Sequence, residues 1–119
     1  MELGENEKIK RWLTSLRGRT RIEYKKWVIR FFEETRLKPE KFLELCRDKP
    51  SEAKDIIYNY LDTVKSRGHY IRTKNGGFYL PPEKEEISTG AKKQIFSAIK
   101  SFINYYRDTY DIRLELSLR

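Results

Sequence analysis

The sequence predicts an all-α domain: a bundle of four to five helices with one short hairpin or loop insertion at about residues 69–87. Three observations lead there. Apolar residues recur at i, i+3, i+4 and i+7 in separate segments, the period of a helix that buries one face. Prolines fall between those segments rather than within them. The third is composition. Only 38% of the 119 residues are hydrophobic and 37% are charged, yet 16 residues are aromatic, so a small core of bulky side chains must sit beneath a wet surface.

A first helix is expected over about residues 5–16, where Ile9, Trp12, Leu13 and Leu16 share a face. Gly18 follows as a residue able to take positive φ at the helix end. A second helix is expected from Thr20 to Thr35. Thr20 and Glu23 fit a capping box, each side chain satisfying the other residue's free backbone N–H. Tyr24, Trp27, Val28, Phe31 and Phe32 form its apolar face, and Ile22, Lys25, Lys26 and Ile29 its reverse.

Pro39 suits the first turn of a short helix at about 40–47. Pro50-Ser51 repeats the signal, with Ser51 as N-cap and Ile56, Ile57, Tyr60, Leu61 and Val64 facing inward until Gly68. Asn75-Gly76-Gly77 lies between Tyr70-Ile71-Arg72 and Phe78-Tyr79-Leu80, a hairpin signal, though a loop would satisfy the same residues. Pro81-Pro82 delays any helix until about Ser88. The last helix, from Ser88 or Thr89 to about Thr109, places Ile95, Ile99, Phe102, Ile103 and Tyr106 on one face and Lys93, Ser97, Lys100, Asn104 and Arg107 on the other. Residues 111–119 alternate weakly and read as a tail or linker.

Charge is distributed unevenly over these elements. The net charge is +8. Residues 8–32 hold nine Lys and Arg against one acid, Glu23, and residues 88–107 hold four basic residues and no acid. Residues 33–63 are net −2, with acids and bases interleaved at helical spacing. Cations concentrated in particular segments are the footprint of phosphate binding, whereas scattered charge signals only solubility.

Other classes find no support. There is no run of 18 apolar residues, and the acidic N-terminus lacks a signal-peptide stretch. Cys46, the one cysteine, has no partner for an internal disulfide and reads as a small buried apolar residue. No Cys/His cluster, nucleophile–base pair, P-loop or dinucleotide fingerprint appears, so no metal, cofactor or catalytic residue is expected. The expected setting is cytoplasmic, on the nucleoid when bound to DNA.

One segment reads Arg19-Thr20-Arg21-Ile22-Glu23-Tyr24, followed by Val28 and Phe31-Phe32. Another reads Ser88-Thr89-Gly90-Ala91 leading into Ile95-Phe96-Ser97-Ala98-Ile99-Lys100-Ser101-Phe102-Ile103-Asn104-Tyr105-Tyr106. The two resemble the N-terminal core-binding domain of the tyrosine recombinase and phage integrase family, the second being similar to the family's last core-binding helix. Together they frame about residues 5–110.

The resemblance implies a SAM-like bundle over 1–110 that clamps one face of double-stranded DNA. A tail or linker over 111–119 would lead toward a catalytic domain that the chain does not contain. It implies a protein monomeric alone, whose recombinase protomers assemble on DNA, and an isolated domain that is not an enzyme. By matched position, Arg19, Thr20 and Arg21 at one helix start and Thr89, Lys92, Lys93 and Lys100 on the other approach DNA. The charge map, drawn without the family, agrees and adds Arg17, Lys25 and Lys26; the outer face of the last helix, where Lys93, Ser97, Lys100 and Asn104 align at i, i+4, i+7 and i+11, adds Ser97 and Asn104 as DNA-binding candidates.

The loop at 69–87 is longer than the family's usual link. His69-Tyr70-Ile71-Arg72 spells the family's His-x-x-Arg, but in a predicted loop of the wrong domain, so it reads as coincidence. Tyr70, Phe78 and Tyr79, near Arg72 and Lys74, are the aromatics placed to touch nucleic acid; most others fall on core stripes. Two alternatives use the same basic face: a helical bundle that binds an acidic protein partner, or one that binds RNA.

Overall fold

The computed structural model describes residues 3–65, 69–74, 76–80 and 86–117, with 69–73 and 78–80 described as backbone only. The chain is mostly helical. A short 3₁₀ turn at Leu3–Glu5 precedes α1 (Glu7–Leu13), α2 (Gly18–Thr35), α3 (Pro39–Asp48) and α4 (Pro50–Thr63). A hairpin of β1 (His69–Thr73) and β2 (Gly76–Leu80) follows, and α5 (Thr89–Tyr106) completes the bundle.

All five helices meet along one run of edge-to-face aromatic contacts. Trp12 of α1 meets Phe102 of α5 with ring centroids 5.5 Å apart, and Phe102 meets Phe32 of α2 at 5.5 Å. Phe32 meets Phe42 of α3 at 5.5 Å, Phe42 meets Phe31 at 5.3 Å, and Phe31 meets Tyr60 of α4 at 5.1 Å. Each such pair adds about 0.5–1.5 kcal/mol beyond its buried area, which lets few residues hold a small core. The expected core positions Trp12, Leu13, Val28, Phe31, Ile57, Leu61, Ile95, Ile99, Phe102 and Ile103 are buried; Tyr24 is only half-buried.

Helix ends depart from expectation in instructive ways. α1 stops at Leu13, because Thr14 Oγ1 donates to the carbonyl of Arg11 (2.6 Å) and Ser15 Oγ to that of Trp12 (2.7 Å), competing for the helix's own acceptors. Its start is fixed by Asn6, whose side chain accepts from the amides of Lys8 and Ile9. Gly18 does adopt φ +60°, but as the opening residue of α2. Thr20 therefore lies inside the first turn, and the Thr20/Glu23 capping box does not form: the cap residue is Arg17, with no side-chain capping bond, and Glu23 pairs instead with Lys26 at 3.3 Å.

In α4, Lys49 rather than Ser51 is the N-cap, since Pro50 takes the first helical position itself. The helix ends at Thr63, well before Gly68, which lies outside the described residues. Val64 there turns extended with its side chain buried, and the buried Arg30 of α2 donates to the carbonyl of Lys65. Arg30 also binds Glu34 at 2.6 Å.

The insertion is a true antiparallel hairpin, pairing His69 with Leu80 through to Thr73 with Gly76. Gly76 and Gly77 belong to β2 rather than to the turn, and Asn75, Pro81 and Pro82 lie outside the described residues. An isolated antiparallel bridge between Lys65 and Glu86 brings the chain before and after the insertion side by side.

Residues 111–117, expected as a tail or linker, pack down onto the bundle. Ile112, Leu114 and Leu116 are buried, and Tyr58 of α4 donates to the carbonyl of Ser117 at 2.7 Å. The weak alternation of this segment is the period-2 pattern of an extended chain with one face on the core.

Candidate nucleic-acid interface

α2 packs more extensively against α5 than against any other helix. Two indoles tie α5 to its neighbours, one from α2 and one from α1. Trp27 of α2 donates through Nε1 to Oε1 of Gln94 at 2.9 Å, and Trp12 of α1 donates to Oγ of Ser101 at 3.0 Å. Gln94 and Ser101 are seven residues apart on α5, hence on one face. Tyr106, at the far end of α5, donates to the carbonyl of Lys8 at 2.6 Å.

Beside this seam the outer edges of the two helices enclose an open groove of about 560 Å³. α2 contributes Arg19, Thr20, Glu23 and Tyr24; α5 contributes Lys93, Gln94 and Ser97. Each set spans little more than one helical turn, so the groove is short and lined from both sides. It brings Arg19 and Thr20 together with Lys93 and Ser97, residues more than 70 positions apart in the chain.

The other candidates surround this groove or lie along the same two helices. Arg17, Arg21, Lys25 and Lys26 are exposed at and after the start of α2. Lys26 is partly spoken for, pairing with Glu23 and standing over the Trp27 ring at 4.9 Å. Ile22 is 68% exposed between Arg21 and Lys25, an unusual exposure for an aliphatic side chain.

On α5, Thr89 is exposed at the first position and Lys92 and Lys100 are half-buried. Asn104 is exposed, but its Oδ1 accepts from Arg107 at 2.9 and 3.2 Å, leaving chiefly the amide N–H groups for a ligand. Ser88 caps α5 by accepting from the Ala91 amide at 3.1 Å, and among the described residues the amides of Thr89 and Gly90 have no acceptor.

Among the described residues Arg17, Arg19, Arg21, Lys25, Lys92, Lys93 and Lys100 make no ion pair with any carboxylate. Their charge is open to solvent and to a ligand. The remaining cations of the basic N-terminal segment are committed: Lys10 to Glu5, Arg11 to Glu7, Arg30 to Glu34, and Lys8 over the rings of Tyr106 and Tyr110. Sequence counting treats all these cations alike, although only about half of them point a free charge outward.

Three groove residues escape sequence reasoning. Glu23 reads as half of a cap and Tyr24 as core, while Gln94 draws no reading at all. A polar residue between Lys93 and Ile95, at the border of the apolar and basic faces, is the available signal for Gln94. The His69-x-x-Arg72 run lies along β1, and the side chains of Tyr70, Phe78 and Tyr79 fall outside the described residues. Among the described residues no group of three or more His, Cys, Asp or Glu gathers as metal ligands, and no helix is long and apolar enough to cross a membrane. Cys46 is buried, and that burial pushes its thiol up to about 12 despite the opposing pull of Arg107.

No protein-family model, curated protein or solved structure matches the chain.

Proposed function

We propose that this domain binds duplex DNA through the α2–α5 face, in the manner of the core-binding domain of a tyrosine recombinase or integrase. The observation that carries the reading is the groove. It joins Arg19 and Thr20 to Lys93 and Ser97, from the two segments where sequence charge concentrates, and unpaired cations stand around it. Phosphates attract such cations by releasing condensed counterions, whatever the base sequence.

α5 has the width to enter a major groove, with Lys93, Ser97 and Lys100 on its outer side. The free amides of Thr89 and Gly90 favour a phosphate near its start. Arg19 and Arg21 hold the backbone alongside. In this reading the chain supplies grip and orientation, its protomers gather on DNA, and no residue of it performs strand chemistry.

The test is titration of labelled duplex at several salt concentrations. With about four to six phosphates neutralised, log K falls against log salt with a slope of roughly −4 to −5. A flat response sinks the reading. An acidic protein partner is the second reading, favoured by Ile22, because phosphate binding gives an exposed aliphatic residue nothing to do. Ile22→Ser leaves duplex affinity within about twofold under the first reading and weakens the partner under the second.

A further inference from the structure

We infer that Gln94 is a specificity-determining residue whose amide acts on DNA as a hydrogen-bond donor, favouring guanine, because Trp27 holds its oxygen. The inference rests on the proposal that this groove meets duplex DNA, and it adds which base edge the groove selects.

The geometry leaves little freedom. An indole N–H can only donate, so the atom of Gln94 facing Trp27 at 2.9 Å is Oε1 and the amide orientation is fixed. Trp27 is itself buried, which keeps that oxygen drawn against α2. Among the described residues Nε2 has no hydrogen-bond partner. Gln94 is half-buried, yet among the described residues no sealed side-chain nitrogen or oxygen lacks a partner. Nε2 is therefore open to solvent, and Gln94 lines the groove.

An unconstrained glutamine prefers adenine, since it accepts from N6 while donating to N7. Here the acceptor half of that pair is already engaged, and an adenine amino group would have to share it beside a buried indole. What the groove receives is a donor. Guanine offers two adjacent major-groove acceptors, O6 and N7, where adenine offers N7 beside a donor and thymine O4 alone; cytosine offers a donor at N4 and is refused. Glu23 stands across the groove as an acceptor, suited to the cytosine amino group of the same G·C pair.

The experiment is selection of bound duplexes from a library with a randomised central segment, using the full chain and four variants. Wild type enriches guanine over adenine at one position by at least about fivefold, the low end for a specific base contact. Trp27→Phe frees the oxygen and shifts that position toward adenine. Gln94→Glu, which can only accept, shifts it toward cytosine; Gln94→Lys, which can only donate, keeps guanine; Gln94→Met erases the preference while the duplex is still retained. Gln94→Glu keeps an acceptor for the Trp27 indole N–H, so it stays readable even if Trp27→Phe is poorly folded. Salt-sensitive retention by wild type with no base preference, or an unchanged preference in Gln94→Glu, overturns this inference and leaves duplex binding standing. Failure of wild type to retain any duplex overturns both.

Discussion

On α3 and α4, Lys41, Arg47 and Lys49 each lie beside a carboxylate: Glu44 at 3.6 Å, Asp48 at 2.8 Å and Glu52 at 4.0 Å. On α2 and α5, Arg19, Arg21, Lys25, Lys92, Lys93 and Lys100 have none among the described residues. Both regions are helical, rich in cations and packed on the same aromatic core. Their fields differ because a pair a few ångströms apart cancels within the roughly 10 Å screening length of ordinary salt, while like charges around a groove add. The hydrogen bond from Arg47 lowers the pKa of the Asp48 carboxyl. Exposed pairs of this kind add little to stability, so their consequence is electrostatic rather than structural. What matters for a partner is which cations are left over after local pairing, not how many the sequence contains.

The comparison breaks first at the level of binding. Lys93→Glu with Lys100→Glu should abolish duplex binding or flatten its salt slope by about two units, with helicity and melting temperature nearly unchanged. Lys41→Glu with Lys49→Glu, in the self-paired region, should leave affinity within about threefold. Equal losses in the two double variants, measured by anisotropy at fixed salt, would mean that net charge alone attracts DNA.

A second variant separates stability from binding. Leu114→Ala, in the packed C-terminal segment, should cost about 2–5 kcal/mol in urea unfolding, as a buried leucine does. The affinity of the remaining folded protein should not change. A cost near zero would return residues 111–117 to the status of a loose tail.

Alkaline pH probes two buried groups of the core, Cys46 on α3 and Tyr106 on α5. Burial raises Cys46 from 9.0 to about 12, and burial raises Tyr106 from 10.0 to about 12. Both are protonated in the fold, so the stability they confer is full below about pH 9 and is lost as pH rises toward 12. Urea midpoints should fall between about pH 9 and 11, less steeply in Cys46→Ala, while the thiol resists labelling at about pH 8 until the chain unfolds.

The smallest effects compare the starts of α2 and α5. Ser88→Ala, which removes a formed cap, should cost about 1 kcal/mol. Thr20→Ala should cost less than about 0.5 kcal/mol, because Thr20 caps nothing. Equal costs in thermal unfolding would mean that the capping box read from the sequence forms after all.

The helical class, the five helices and most of the core were legible in the chain alone, because apolar periodicity and proline act locally. Ile95, Ile99, Phe102 and Ile103 can be buried together only on a helix. The two basic segments were legible in the same way. Long-range partnerships were not. No spacing rule reveals that Trp27 takes the oxygen of Gln94, 67 residues away, or that Lys8 rests over Tyr106.

The buried Arg30 and the packed residues 112–116 were likewise hidden, since a guanidinium or a weak alternation acquires a partner only when distant elements arrive beside it. The groove belongs with these. Its two walls come from opposite ends of the chain, and which cations stay free along it depends on carboxylates that folding brings near or keeps away.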